Sequence, residues 1–431
     1  MKVLWFSLSP GLSDAHLNNN YEGCGWIKSL EKNIQDKIDL SIVFYHDAEV
    51  EPFTLGPTQY FPIKRYNHGN LTKVTRRLLN YIEPDYDIKS FLKVIDRVKP
   101  DLIHIHGTES PFGLVQKFVN IPTVVSIQGT ITVYRHKFFS SISYFDVLKH
   151  SYLKSFLFAR SFINVYKQFT KVAAREREIY RYSKHFIGRT DWDRRVTKVL
   201  AKSAQYYQND EILRSSFYKF KHHSKLSGRL VLFTTTWTNL YKGLETVFDC
   251  ANLLDENSVD YEWRIAGLNA DDEIVRIAAR STKRSTSGNI KFLGMLNEQA
   301  LVQALLLANI YVAPSHIENS PNSLCEAQIL GLPCIATCAG GTSSLLEDHN
   351  EGILIQDGDP FAMAGAVMEL NENYPRAVMM GKNGRERALT RHDPERITGA
   401  LLEIYDSILA SASNRVTSKE DSQLIAKNGD A

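Results

Sequence analysis

The sequence predicts an α/β chain built as two Rossmann-like units, each a parallel sheet covered on both faces by helices. Three observations carry this. Over residues 229–370, short apolar runs rich in β-branched residues ("RLVLFTTT", "EWRIAG", "NIKFLG", "NIYVAPS", "LPCIAT", "GILIQ") alternate with helical patterns. Near-continuous apolar strands of that kind belong in a parallel sheet buried on both sides. The first half repeats the style in "KVLWFSLS", "DLSIVFY", "DLIHIHG", "TVVSIQG" and "KHFIGRT". A chain of 431 residues, 43% hydrophobic and 23% charged, is also long enough for two or three packed cores.

In chain order, residues 1–205 form the first unit and 206–390 the second, joined through the polar stretch 203–217. Between the strands of the second unit lie the helical patterns "KGLETVFDCANLL", "ADDEIVRIAARS", "NEQALVQALLLA" and "NSLCEAQILG". A long helical block, about 144–182, interrupts the first unit, with Phe145, Leu148, Tyr152, Phe156, Ala159, Ile163 and Tyr166 on one stripe. Cations crowd 133–175 against the single acid Asp146. Two readings stay open: a core helix with a solvated basic side, or a segment resting on an anionic membrane surface. A last helix, within 391–410, is expected to pack back toward the first unit. The polar tail 411–431 is expected to be disordered.

The bulk numbers exclude several classes. A net charge of +3 is too small to make the surface a nucleic-acid footprint. Five scattered cysteines suit a reducing compartment, and Cys334 and Cys338 lack a second pair at zinc-site spacing. "MKVLWFSLSP" reads as a strand rather than a leader, and no apolar run reaches the roughly 18 residues of a membrane span. A cytoplasmic protein is expected, peripheral at the inner membrane face if it meets a membrane at all.

Parallel sheets bind ligands at the carboxyl ends of their strands. There, "SHIENSPNSLCEAQILG" places Glu318 on a loop and Glu326 about one turn into a helix that starts near Asn322 or Ser323, both good N-caps. A helix N-terminus suits a phosphate. One carboxylate can accept two hydrogen bonds from a ribose diol, and the other can hold the hydroxyls of a second sugar. The pattern therefore fits a sugar nucleotide. Lys242, at a helix start where a cation is disfavoured, suggests an anion between it and the helix end. His104 and His106 share one face of a strand, and His106 is the one nearer the cleft. Gly23 and Gly25 permit close approach of a ligand, or are simple turn glycines. "DWD" at 191–193 and "DGD" at 357–359 read as helix-start or turn aspartates, so no catalytic metal is expected.

"HIENSPNSLCEAQILGLPCIATCAGGTSSLLED" resembles the Glu-x7-Glu motif and following Gly-Gly loop of the family 4 retaining glycosyltransferases, which have the GT-B fold. "DLIHIHG", "HFIGRTDWDRR" and "YKGLETV" resemble further segments of that family. The resemblance implies two domains facing each other across a cleft. It implies that Glu318 contacts the donor sugar, Glu326 the ribose and Lys242 the diphosphate, with backbone amides from Asn319, Ser320, Asn322 and Ser323. It places Thr236, Gly340 and Gly341 on the donor side and Gly294 and Met295 near the base. Gly23, Gly25, Gln128, Gly129 and Arg189 fall on the acceptor or phosphate side. Thr236 and Trp237 stand where members commonly carry Gly-Arg, and Gln128 stands where many carry a His. The implied activity is metal-independent, retaining transfer from a nucleotide-diphosphate sugar to a hydroxyl of a glycan or lipid-linked glycan in cell-surface polysaccharide synthesis. The alternatives are a non-catalytic or partner-dependent sugar-nucleotide-binding protein and a GT-B sugar-nucleotide epimerase.

Overall fold

The structure, a computed structural model, describes residues 1–17, 25–65, 75–79, 81–82, 86–223, 228–283 and 288–428. The first sheet holds β1 (Lys2–Phe6), β2 (Asp39–His46), β3 (Phe53–Leu55), β4 (Thr58–Lys64), β5 (Leu102–His106), β6 (Thr123–Ser126), β7 (His185–Gly188) and β8 (Gln205–Gln208). Their order is β3-β4-β2-β1-β5-β6-β7-β8. All neighbours are parallel except the β3–β4 pair. The second sheet holds β9 (Leu230–Thr235), β10 (Tyr261–Ala266), β11 (Ile290–Gly294), β12 (Ile310–Ala313), β13 (Cys334–Thr337) and β14 (Ile353–Ile355). Its order is β11-β10-β9-β12-β13-β14, parallel throughout.

This order decides where ligands can go. Strand order reverses between β1 and β5 in one sheet and between β9 and β12 in the other, and connections diverge there to opposite faces. The loops after β9 and β12 carry Lys242 and Glu318. The loops after β1 and β5 belong to the first domain.

Three elements differ from the sequence reading. The first sheet runs to Gln208, beyond the boundary expected at 205, because "QYYQ" is an edge strand with no apolar run to announce it. The block 144–182 is three helices, Tyr144–His150, Leu153–Leu157 and Phe162–Tyr182, not one. Ser151 is extended, Ala159 lies at φ 50°, and Ser161 caps the third helix, so a continuous stripe cannot form. Phe145 and Leu148 are accordingly exposed, whereas Val147, Phe162 and Ile163 join the core of the second domain. The last helix, Pro394–Asn428, continues past 410 into the segment expected to be disordered. Residues 411–427 contain no Pro or Gly to stop the backbone hydrogen-bond ladder. Helices Pro360–Glu372 and Tyr374–Arg391, not foreseen, complete the cover of the second sheet.

The last helix crosses back to the first domain. Ile397, Leu401, Ile404, Tyr405 and Ile408 pack with Trp5, Ile27, Leu30 and Ile42. At the centre of this seam Trp5 Nε1 donates to the Tyr405 hydroxyl at 3.0 Å, and that hydroxyl is hydrogen-bonded to His104 Nδ1 at 2.6 Å. Burial pushes the His104 imidazole down to about 3, so it stays neutral. No helix among the described residues is long and apolar enough to cross a membrane. Tyr405→Phe leaves two buried ring nitrogens unpaired. It should lower stability by about 1–3 kcal/mol, read as a lower urea midpoint with an unchanged m-value.

Candidate functional site

Strand β9 leads into Thr236 and the single turn Leu240–Lys242. Gly243 follows at φ 75°, and a Cβ there would stand 2.1 Å from the Pro314 carbonyl oxygen. Only glycine lets the two loops touch, and that contact brings Lys242 to Glu318. The Lys242 ammonium binds Glu318 Oε1, and Ser315 Oγ donates to the same oxygen at 2.9 Å. Behind this loop sit Gly340 and Gly341. A Cβ at either would come within 2.0 Å of Glu318 O or 2.1 Å of Asn319 O, and Gly341 N donates to Glu318 O at 2.9 Å. The glycine pair therefore supports the glutamate loop from below.

Asn319 is buried and bonds across the domain boundary. Its Oδ1 accepts from Thr190 Oγ1 at 2.8 Å, and its Nδ2 donates to Gln128 O at 3.2 Å. Ser320 is buried beside it. The helix that follows is Asn322–Leu330, with Pro321 rather than Asn322 or Ser323 at the position before its first residue. The Pro321 carbonyl takes Leu324 N and Cys325 N, and no side chain caps the helix. The first amides, those of Asn322 and Ser323, thus point outward with the positive end of the dipole.

Glu326 is buried and gripped. Arg214 Nε and Nη2 each donate to one carboxylate oxygen at 2.7 Å, a bidentate fork. Burial raises the Glu326 pKa against the opposing pull of Arg214. Between the domains lies a cavity of about 500 Å³, walled by Ser9, Gly25, Trp26 and Lys28 on one side and by Arg214, Thr235, Ser323 and Glu326 on the other. Thr235 and Ser323 also line a small recess reaching Lys242 and Glu318. The two carboxylate–cation pairs thus stand at either side of the uncapped helix end. Among the described residues, Asn322 Oδ1 is buried on the cavity wall without a hydrogen-bond partner; Thr236 Oγ1 is likewise buried and unpaired, but Thr236 lines neither the cavity nor the recess.

Other expected residues fall elsewhere. Gly294 (φ 64°) packs on Asn269 and Met295 is exposed, while the cavity wall is formed by Leu296, Asn297 and Glu298 just beyond. Gly23 lies outside the described residues; Gly25 opens the helix Gly25–Ile34 against the Arg214 stem. His106 is buried under the cleft floor, edge-on to Trp5 and Trp26, with neither ring nitrogen bonded among the described residues. Burial holds its pKa well below the usual value. It lines a void of about 30 Å³ with Gln128 and Arg189. Arg189 is buried, paired with Glu211 at 2.6 Å and donating to the Ile127 and Gln128 carbonyls at 3.0 Å. It braces the loop that Asn319 touches. Gly129 N donates to Glu109 Oε1 at 3.1 Å.

Three residues escaped the sequence reading. Arg214 comes from the linker, Glu109 from the loop after β5, and His316 from "SHIEN". His316 bonds Glu245 and lies 3.5 Å from Asp357; these carboxylates outweigh burial and raise its pKa. It pins the glutamate loop from the side opposite Asn319. Both aspartates of "DWD" serve the helix start: Asp193 completes a capping box with Thr190, and Asp191 pairs with Arg194.

Residues 216–387 match the family described as "Glycosyl transferases group 1". That match covers most of the second domain. The chain carrying this group 1 domain is 26% identical over 187 residues to phosphatidyl-myo-inositol mannosyltransferase of Mycobacterium leprae, covering 43% of this chain and 48% of that one. It is 26% identical over 217 residues to D-rhamnosyltransferase WbpZ of Pseudomonas aeruginosa, covering 44% and 54%. The chain spans about half the length of the curated relatives it matches. Sucrose-phosphate synthase from Thermosynechococcus elongatus superposes with a TM-score of 0.70 at 14% identity, over 95% of this chain and 99% of that one. Anabaena HepE in complex with UDP-glucose does so at 0.62 and 14%, over 94% and 100%. The fold is GT-B, with the group 1 domain as its second half.

Glu109 gives the site a pH signature. Burial pushes its carboxyl up to about 7, helped by the nearby Glu176. The unfolded chain releases this proton near the ordinary carboxylate value, so between the two the native state binds more protons. Stability should fall as pH rises through that window, by on the order of 3 kcal/mol when complete. Glu109→Gln should flatten that slope in urea titrations from pH 4.5 to 7.

Proposed function

We propose that the protein transfers a glycosyl group from a nucleotide-diphosphate sugar to a hydroxyl acceptor, with retention and without a metal. One observation carries the reading: the start of Asn322–Leu330 and Glu326 line the interdomain cavity at the switch point of the second sheet, and Lys242–Glu318 line the recess that shares Thr235 and Ser323 with it. The spacing suits a sugar, a diphosphate and a ribose in that order. Charge building on the departing diphosphate would meet the helix amides and the Lys242 ammonium, a preorganised arrangement that carries most of such barriers. Glu318 Oε1 already takes bonds from Lys242 and Ser315, which favours an orienting role over nucleophilic attack. A donor phosphate oxygen would then help remove the acceptor proton on the same face. Asn322 Oδ1, left unpaired on the cavity wall, would gain a partner from the donor.

The acceptor is a glycan or a lipid-linked glycan. Lipid linkage is favoured by the segment between the first and third helices of the 144–182 block. Phe145 and Leu153 are 69% and 74% exposed, and Leu148, Leu157 and Phe158 are exposed beside them. Lys149, Lys154 and Arg160 are exposed among these residues, with Asp146 the one acid from 143 to 160. The inner side is committed to the second domain: Tyr152 N and Ser155 Oγ donate to Glu273 at 2.6 and 2.9 Å. An apolar surface ringed by cations fits an anionic lipid surface.

Thermal-shift measurements with UDP-, GDP- and ADP-sugars should find at least one stabilising donor, with the shift abolished in Glu326→Ala. Turnover with that donor should survive EDTA. Lys242→Met should lose about 100-fold or more in kcat. A protein unmoved by every nucleotide sugar would end this reading. Separately, vesicles containing anionic lipid should sediment the protein and neutral vesicles should not; Leu153→Glu/Leu157→Glu should abolish the difference.

A further inference from the structure

Glu326 is the residue expected to meet a ribose, yet both of its oxygens are already occupied, by a side chain from outside the group 1 motif. Arg214 precedes the short helix Ser215–Tyr218 in the linker, and its fork holds the carboxylate at 2.7 Å on each side. The arginine is itself fixed. Its guanidinium lies over the Phe217 ring, 4.8 Å from the centroid. Its stem rests on Gly25 of the first domain, where a Cβ would come within 2.9 Å of Cδ.

We propose that Arg214 is the positioning residue of the donor site, holding Glu326 as a fixed, ionised carboxylate whose remaining lone pairs receive the two ribose hydroxyls of the nucleotide. The inference rests on the sugar-nucleotide reading. A carboxylate offers about four acceptor positions. The fork takes one on each oxygen, which leaves one on each for the two donors of a vicinal diol. The geometry of the fork also sets the plane of the carboxylate, which a lysine cannot do.

The charge environment makes the arginine necessary. Glu326 is 4% exposed, and burial favours its neutral form. A protonated carboxyl becomes a donor and can no longer accept from both hydroxyls. The other groups facing it do not replace Arg214. Glu298, at the next helix start, opposes ionisation. Tyr218 and Tyr311 have raised pKa values and stay neutral. Across the cavity Lys28 is paired with Asp14 at 3.1 Å. Without Arg214 the carboxylate would be buried and uncompensated, and would take up a proton. Because the stem of Arg214 leans on Gly25, the first domain also sets the donor site of the second.

The test is calorimetric titration of UDP, GDP and ADP, each against its 2′-deoxy form, from about pH 6 to about pH 9. Wild type should bind at least one ribonucleotide about tenfold more tightly than its deoxy form, with little pH dependence. Arg214→Gln should lose that preference near pH 6 and recover part of it as pH rises and Glu326 ionises. Glu326→Gln should show the lost preference at every pH. Arg214→Lys keeps the charge without the fork, so it should stay flat with pH at a reduced preference; it carries the test if Arg214→Gln does not fold. Variants at Arg214 that match wild type in both preference and pH profile would overturn the proposal. Wild type that binds no nucleotide would overturn it together with the donor-site reading, whereas wild type that binds nucleotide with unaltered Arg214 variants overturns the proposal alone.

Discussion

Buried charge between the two domains must be paired, and the architecture of the cleft follows from that constraint. An unpaired carboxylate in such a place is strongly destabilising, whereas a pair with good geometry is tolerable. Glu318 has Lys242, Glu326 has Arg214, Glu211 has Arg189, and Asp210 has Arg391 at 2.9 Å. Glu326–Arg214 faces the cavity, Glu318–Lys242 faces the recess beside it, and the other two lie behind. The rear pairs join the linker to the first domain through Glu211–Arg189 and to the helix Tyr374–Arg391 through Asp210–Arg391.

The cleft is correspondingly well tied. Asn319 bonds to Thr190 and Gln128 O across it, the last helix seals Trp5 and His104 through Tyr405, and the segment around Tyr152 reaches over to Glu273. The Glu318 loop is held from three sides: by Asn319, by His316 on Glu245, and by Gly340 and Gly341 beneath. A domain motion that opened the cleft would have to exchange the Asn319 bonds. The missing Gly-Arg pair reads differently in this setting. Thr236 and Trp237 supply no cation, but the linker places Arg214 on the cavity wall.

Much of the architecture was legible because its signals are local. Apolar strands alternating with helices, and a loop with carboxylates eight residues apart, are patterns along the chain. They predict two parallel sheets and locate Glu318, Glu326 and Lys242. The errors arose where a local pattern was overruled. Helical periodicity through 144–182 ignored the stops at Ser151 and Ala159, and good capping types at 322 and 323 lost to Pro321, whose fixed φ and carbonyl begin the helix. His106 shares a strand face with His104 as alternation requires, but that face is covered by Trp5, Trp26 and the last helix, so it lies under the cleft floor.

The sequence by itself determined the fold class, the strand–loop–helix unit and the chemical types gathered there, because each depends on residues within a few turns of one another. Only the tertiary structure decided which buried polar and charged groups are partners. Arg214 and Glu326 are 112 positions apart, as are His104 and Tyr405 by 301, and no periodicity links them. Their pairing is a consequence of sheet order and domain contact, since a buried charge takes the counter-charge that folding brings to it rather than one its neighbours in the chain supply.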